Sequence, residues 1–328
     1  MKYTKDNPLK VFTSFSGYDS QMMGLIRAGV PSILVGWSEI DTFAIQAHNA
    51  VFPEYADKNY GDISKINWNE VPDFDLFTMS PPCQDFSAAG LGKSGEEGSG
   101  TRSSLLWECS RAIEIKRPRY ILFENVKGLL SDKHRKHFIR WQLRLSRWGY
   151  SNFSKVLNTK EFGVPQNRER IFMISILKKD GEPEPVFNFP RPFPLEKRLK
   201  DVLEKNVDEK YYLSDKMLQY FMRVDADKSH GHNFTPKTGD DVAFTIRTAP
   251  GNRVDDNFVV EGNTPPQLWR VDDLEPINTT KDSCAVTITA SQKASSAANM
   301  ISTAHYPHTG VKVYGRYIDG RREDESDP

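Results

Sequence analysis

From the amino end, hydrophobic positions fall alternately into short continuous runs and helically spaced sets. Lys10-Val11-Phe12-Thr13-Ser14-Phe15 has the length and content of a strand. Ser16-Gly17-Tyr18-Asp19 reads as a turn, and Met22, Met23, Leu25 and Ile26 lead with helical spacing to Gly29. The order then repeats, with a strand over Ile33 to Ser38, a helix from about Asp41 to Ala50, and a third short strand closed by Asp62. Phe74-Asp75-Leu76-Phe77-Thr78 predicts a buried strand, and residues 103–116 a helix with Leu105, Leu106, Cys109, Ala112, Ile113 and Ile115 toward the core. Tyr120-Ile121-Leu122-Phe123 predicts a strand that ends at Glu124, followed by a helix from His134 to Trp148. Val156 opens a strand and hairpin region, and Ile171 to Ile176 is a strong strand. Strands alternating with helices predict an α/β sheet domain.

The pattern changes near Lys178, where Pro183, Pro185, Pro190, Pro192 and Pro194 crowd a short span. Beyond it lie polar loops and short strand candidates at Val242 to Thr248, Phe258 to Glu261 and Cys284 to Ala290. We therefore expect a domain over residues 1–180, a smaller, loop-rich and mostly β region over 181–328, and a disordered acidic tail at Glu323-Asp324-Glu325-Ser326-Asp327.

Composition adds bounds. The 328 residues carry 44 basic and 44 acidic side chains, so net charge neither announces nor excludes a polyanionic partner. The helix of residues 134–148 has cations outside its apolar stripe, which usually means a solvated face. The chain has no apolar run long enough to span a bilayer and no signal-like start, which places it in the cytoplasm without membrane contact. Its three scattered cysteines argue against a disulfide framework and against a zinc site.

The chemistry concentrates in Met79-Ser80-Pro81-Pro82-Cys83-Gln84-Asp85-Phe86-Ser87. The preceding strand delivers Cys83 to its carboxyl end, where ligands of open α/β sheets bind. Buried thiols are commonly inert core residues, but the Pro-Pro and Gln-Asp flanks are poor core material. Gly90, Gly92, Gly95, Gly98 and Gly100 follow closely, as in a loop that closes over a substrate. Glu39 and Glu124 each stand at the end of a predicted strand, the first also readable as a helix N-terminal acid. Arg168 and Arg170, two apart before a strand, would point the same way, with pairing to Glu169 as the plain alternative.

Pro82-Cys83-Gln84 with Ser87 and Gly90 resembles the nucleophile motif of the DNA cytosine-5 methyltransferase family. Phe15-Ser16-Gly17 resembles its first cofactor motif, Glu39 its ribose-binding acid and Gly61-Asp62-Ile63 its adenine-site turn. Glu124-Asn125-Val126 resembles its ENV motif, and Gln166-Asn167-Arg168-Glu169-Arg170 its paired arginines. The resemblance implies a Rossmann-like methyltransferase sheet with a target-recognition domain, no metal, and S-adenosylmethionine as donor. It implies a cofactor site at Phe15, Ser16, Gly17, Asp19, Glu39, Ile40, Asp62, Ile63, Pro82 and Leu105, and catalytic roles for Cys83, Glu124, Arg168 and Arg170. Double-stranded DNA would meet Gln84, Ser87, Arg247 and Arg253, and a cognate restriction endonuclease is an implied partner. Where the family usually has further glycine, this chain has Asp19 and Ser20; aspartate tolerates positive φ, so the turn is expected to survive.

The family's two closing motifs have no recognised counterpart before Pro328, which leaves open a shortened chain, completion by a partner chain, or divergence. Three alternatives therefore stand beside the first reading. One is a tRNA cytosine-5 methyltransferase, whose motif also resembles Ser80-Pro81-Pro82-Cys83-Gln84. The second is a catalytically incomplete DNA-binding subunit. The third is a cysteine hydrolase using His48, His134 or His137 as base.

Overall fold

The computed structural model describes residues 3–82, 105–204, 236–246 and 257–261, together with the strands at 284–289, 300–302, 304–305 and 312–313. Contacts divide the chain into two units, Met1–Leu157 with Glu169–Arg191, and Asn158–Arg168 with Pro192–Pro328. The chain thus crosses between units three times, whereas the sequence reading drew a single boundary at residue 180.

The first unit is built on strands β1 (Leu9–Ser14), β2 (Ser32–Ser38), β3 (Leu76–Met79), β4 (Tyr120–Val126), β5 (Tyr150–Asn158) and β6 (Glu169–Leu177), in the order β2-β1-β3-β4-β6-β5. The first four run parallel, and β6 returns antiparallel beside β4. Helices α1 (Ser20–Arg27), α2 (Thr42–Val51), α3 (Leu105–Lys116) and α4 (Arg135–Arg147) fill the connections. An α/β sheet is the architecture expected from the alternating pattern.

Both faces of this sheet are covered, which is why its strands read as continuous apolar runs rather than alternating ones. Successive residues point to opposite faces. Val11 and Leu76 join Leu34, Trp37, Met22 and Phe52 on the face of α1 and α2. Phe12, Phe77, Ile121 and Phe123 join Leu106, Trp107, Ile113, Phe138 and Trp141 on the face of α3 and α4. Around Phe12, the rings of Trp68, Phe74 and Phe77 lie at centroid distances of 5.1, 5.4 and 6.1 Å. The cations of α4 are partly packing groups: the Arg144 guanidinium lies 4.7 Å from the Trp107 ring centre and donates to Ser110 Oγ at 3.1 Å.

Aspartates start the first two helices. Asp19 Oδ1 accepts from the Met22 amide at 3.1 Å, and Asp41 Oδ1 from those of Phe43 and Ala44 at 3.0 and 2.9 Å. Two boundaries differ from the sequence reading. The third short strand before Asp62 is only an isolated bridge between Trp37 and Asn59, because Asn59 spends its side chain on neighbouring loop atoms instead of extending a ladder. Glu124 lies inside β4 rather than at its end, since β6 keeps pairing through Val126 opposite Arg170 after β3 has stopped at Met79 opposite Phe123.

In the second unit, strands β7 (Lys237–Thr238), β8 (Phe258–Glu261), β9 (Cys284–Thr289), β11 (Ala304–His305) and β12 (Lys312–Val313) form a sheet in the order β11-β12-β9-β8-β7, with β10 (Met300–Ser302) also on β9. No α-helix occurs among the described residues of this unit. The candidate strand at 242–248 is reduced to an isolated bridge between Ala243 and Gln166.

Gly36 gives the first unit a sharp packing constraint. A Cβ there would stand 2.7 Å from Tyr60 Cε2 and 2.8 Å from Phe12 Cε2, and the fully buried Phe12 has nowhere to go. Gly36→Ala should therefore lower stability by about 1–3 kcal/mol, read as a reduced urea midpoint at unchanged m-value.

Candidate functional site

The parallel strands β2, β1, β3 and β4 deliver their carboxyl ends to one side of the sheet, and the connections leaving those ends hold most of the described candidate residues. The turn after β1 is unusual in its backbone. Phe15, Gly17 and Asp19 have φ of 54, 57 and 64°, so two non-glycine residues occupy the left-handed region. The expectation that Asp19 would tolerate this conformation is met, and the hydrogen bonds say why. Its carboxylate caps α1 and also accepts from Thr13 Oγ1 at 2.8 Å, which ties the turn to the strand behind it. Ser16 is buried and donates to the Thr13 carbonyl at 3.1 Å. A Cβ added at Gly17 would meet nothing within 4 Å, so this turn borders open space.

Glu39 follows β2 and draws the two strand ends together. Its Oε2 accepts from the Gly17 amide at 3.0 Å, while Oε1 accepts from the amides of Ile40 and Asp41 at 2.8 and 3.0 Å. A carboxylate has about four acceptor positions, so three backbone donors fix its direction and leave room for a ligand hydroxyl. Ile40 beside it is 68% exposed, an apolar side chain set in solvent next to an acid. Asn59 braces this corner, accepting from the Glu39 and Gly61 amides at 3.2 and 2.9 Å and donating to the Glu39 carbonyl at 3.1 Å. Asp62 caps the short turn Ile63–Lys65; the Ser64 hydroxyl and amide hold its carboxyl below the ordinary carboxylate range. Ile63 is buried in the core.

Glu124 meets a partner across the sheet. Opposite Phe172, it lies diagonal to Arg170, and the Arg170 Nε to Glu124 Oε1 distance is 3.1 Å, with both side chains largely buried. Arg170 also donates through Nη1 to the Glu169 carbonyl at 2.8 Å, while the Glu169 carboxylate pairs with Lys127 at 2.9 Å. The plain alternative of an Arg170–Glu169 ion pair is thereby replaced by the pair with Glu124. Arg168 is a different case: it precedes β6 and belongs to the second unit, its amide donating to Asn158 Oδ1 at 3.2 Å. The two arginines are not alternate residues of one strand.

Next to Glu124, Asn125 is buried and donates to the Pro81 carbonyl at 3.3 Å. The strand bearing Glu124 is thus tied to the segment that runs through Pro82 toward Cys83. Gln21 Nε2 donates to Ser80 Oγ at 2.9 Å and ties the same segment to α1. Leu105 begins α3 and packs, half buried, against the core. Cys83, Gln84, Ser87, Arg247 and Arg253, with the glycine-rich stretch, lie outside the described residues.

Cys109 is wholly buried, and burial pushes its thiol far above the ordinary range. His48, His134 and His137 are buried as well, His48 stacked on the Trp37 ring at 3.7 Å, which makes them poor candidates for a hydrolase base. Among the described residues no group of His, Cys, Asp or Glu is placed to hold a metal ion, and no helix is long and apolar enough to cross a membrane.

Sequence reasoning passed over Thr13, Asn59 and Gln21, whose hydrogen bonds shape this end of the sheet. The one local signal was Asn59 two residues before Gly61, a common turn chemistry.

A family model described as C-5 cytosine-specific DNA methylase matches residues 9–308. The type II methyltransferase M2.ScrFI of Lactococcus lactis subsp. cremoris is 34% identical over 347 aligned positions, covering 88% of this chain and 94% of its own. Those positions outnumber the 328 residues here, so that relative carries segments without a counterpart in this chain. Orphan methyltransferase M.Rho11sI of Bacillus phage rho11s and type II methyltransferase M.SsoII of Shigella sonnei are each 35% identical over 63% and 61% of this chain, which spans only 46% and 51% of theirs. Among solved structures, S. pombe Dnmt2 methyltransferase aligns with a TM-score of 0.60 at 23% identity, over 78% of each chain. Entamoeba histolytica methyltransferase EhMeth aligns at 0.61 and 17% identity, over 83% of this chain and 79% of its own. These likenesses establish the α/β methyltransferase fold.

The thiol chemistry yields a direct expectation. In the folded protein at mildly alkaline pH, Cys109 should escape alkylation by iodoacetamide and become reactive only in denaturant, as read by peptide mass spectrometry.

Proposed function

The chain belongs to the C-5 cytosine-specific DNA methylase family, and on that footing we propose that it methylates carbon 5 of a cytosine flipped out of a specific duplex DNA sequence, through a covalent adduct of Cys83. S-adenosylmethionine is the donor of the family. The residues around the strand ends would suit it: Glu39, with acceptor positions left over, for the ribose hydroxyls, the exposed Ile40 and Asp62 for the adenine, and the open glycine turn at Gly17 for the amino acid moiety. When bound, it supplies an electrophilic methyl group and leaves as the neutral thioether.

Carbon 5 of cytosine is too weak a nucleophile unaided. The Cys83 thiolate forms a bond to carbon 6 and pushes the electron pair toward carbon 5, which takes the methyl. A base then removes the carbon 5 proton, the electrons return, and the sulfur–carbon bond breaks to regenerate the thiolate. Glu124, bearing a proton, donates a hydrogen bond to ring nitrogen 3, which makes the ring a better electron acceptor, and takes that proton back when the thiolate leaves. The observation that carries this reading is the Arg170–Glu124 contact at 3.1 Å, on a strand tied through Asn125 to Pro81, two residues before Cys83. A carboxyl meant to grip one ring atom has to be aimed, and a neighbouring guanidinium aims it. Because the target atoms lie inside the stack, the base must be extruded, and the segment with Gln84 and Ser87 is our candidate for filling the gap. Arg247 and Arg253 are candidates for DNA contact, and Arg168 keeps its proposed role as a positive charge favouring the Cys83 thiolate. A cognate restriction endonuclease is proposed only from the type II names of some relatives.

A duplex carrying 5-fluorocytosine at the methylated position, found by mapping 5-methylcytosine in DNA from expressing cells, tests the proposal. Incubated with donor, it should leave a denaturation-resistant adduct on Cys83, absent for Cys83→Ser; no adduct with the unaltered protein would sink the mechanism. Arg170→Ala should lower kcat by about 100-fold or more while donor affinity stays within about 2-fold, because only the orientation of Glu124 is lost.

A further inference from the structure

Behind the β1 turn sits a pair of side chains that the proposed mechanism does not use. Asp19 and His48 are both fully buried, and His48 Nε2 lies 3.6 Å from Asp19 Oδ2. The imidazole is held flat between rings, stacked on Trp37 with centroids 3.7 Å apart and 16° between planes, with Phe52 at 5.5 Å. Neither of its nitrogens has a hydrogen-bond partner within normal range, so the nearby carboxylate dominates its polar surroundings. A buried carboxylate facing an imidazole lone pair would be repelled, whereas one facing an N–H is stabilised; the stacking leaves the ring little freedom to choose another partner.

The placement of Asp19 gives this pair a consequence for ligand binding. Its carboxylate occupies the amide end of α1, taking the Met22 N–H, and its backbone holds the left-handed φ of 64°. Beside this helix end lies the open Gly17 turn proposed for the donor's amino acid moiety, whose carboxylate an uncompensated Asp19 would repel. Thr13 Oγ1 and the Met22 amide already donate to Asp19, and His48 Nε2, 3.6 Å from its Oδ2, is placed to add a further N–H.

We propose that His48 is a positioning residue for the methyl donor: an Nε2–H directed at Asp19 holds the turn and offsets its negative charge, leaving the helix end hospitable to a second carboxylate. The inference rests on the donor-site reading of this turn and deepens it, since it assigns a role to a residue remote from the open side of the site.

Isothermal titration of the full chain with S-adenosylmethionine, together with steady-state kinetics, separates the possibilities. His48→Phe keeps the stacked ring and removes the N–H; it should weaken donor binding and raise KM for the donor by about 10-fold with kcat nearly unchanged. His48→Gln, which restores an N–H donor, should recover most of that loss. In an Asp19→Asn background, where turn and cap survive without the charge, adding His48→Phe should change affinity by less than about 2-fold. Equal losses in both backgrounds would mean a packing role and overturn the inference. If His48→Phe does not fold, His48→Gln decides: the inference requires donor affinity within about 3-fold of the unaltered protein, and a larger loss overturns it. Failure of the unaltered protein to bind the donor would remove the donor-site reading and this inference together, whereas good binding unaffected by His48→Phe removes this inference alone.

Discussion

The arrangement of the candidate site depends on unequal pairing along β4. On one side β3 stops at Met79, opposite Phe123; on the other, β6 continues through Arg170, opposite Val126. The last three residues of β4 are therefore held as strand by one neighbour while the other edge is released. Backbone rigidity is kept at Glu124, and beyond the end of β3 the Pro81 carbonyl is met by the Asn125 side chain instead of a ladder. The diagonal of the antiparallel ladder then supplies Arg170 to Glu124, so register on one side of a strand sets the electrostatics on the other.

The three acids of the site are fixed in different ways by one kind of force. Glu39 is oriented by three backbone amides, Asp62 by the hydroxyl and amide of Ser64, and Glu124 by a guanidinium. Each is held by donors from its own loop or a neighbouring strand before any ligand arrives, so less ordering remains to be done on binding. Asp19 shows the same logic turned inward: its partners Thr13, Met22 and His48 come from three separate elements, so a residue that departs from the family's glycine has become a junction between them.

Much of this was legible in the sequence, for identifiable reasons. A sheet covered on both faces writes continuous apolar runs such as Val11-Phe12 and Leu76-Phe77, and aspartates before Met22 and Phe43 mark helix starts. Cys109, on the apolar stripe of its helix, was readable as core. Less legible were features set by partners distant in sequence. Nothing local says that β6 outlasts β3, so Glu124 read as a strand end. The separation of Arg168 from Arg170 follows from where β6 begins and from which unit each contacts, neither of which two-residue spacing encodes. His48 read as a lone histidine because its significance lies in Asp19 and Trp37, far along the chain. The methylase motifs were recognisable because they cluster at strand ends, where chemistry rather than packing dictates residue type.

The interleaved division of the chain bears on how its two units can be exchanged between relatives. The tip of the β5–β6 connection, Asn158–Arg168, is counted with the carboxyl-terminal unit although both flanking strands belong to the sheet. Within that unit, the Asn167 amide donates to the Ala243 carbonyl at 2.7 Å, and Thr245 Oγ1 to the Asn167 carbonyl at 2.8 Å. A recombination event that replaced only the sequence after residue 191 would leave this tip facing an unfamiliar neighbour. Grafts of the carboxyl-terminal unit, in evolution or in the laboratory, must carry two separate stretches of gene to arrive intact.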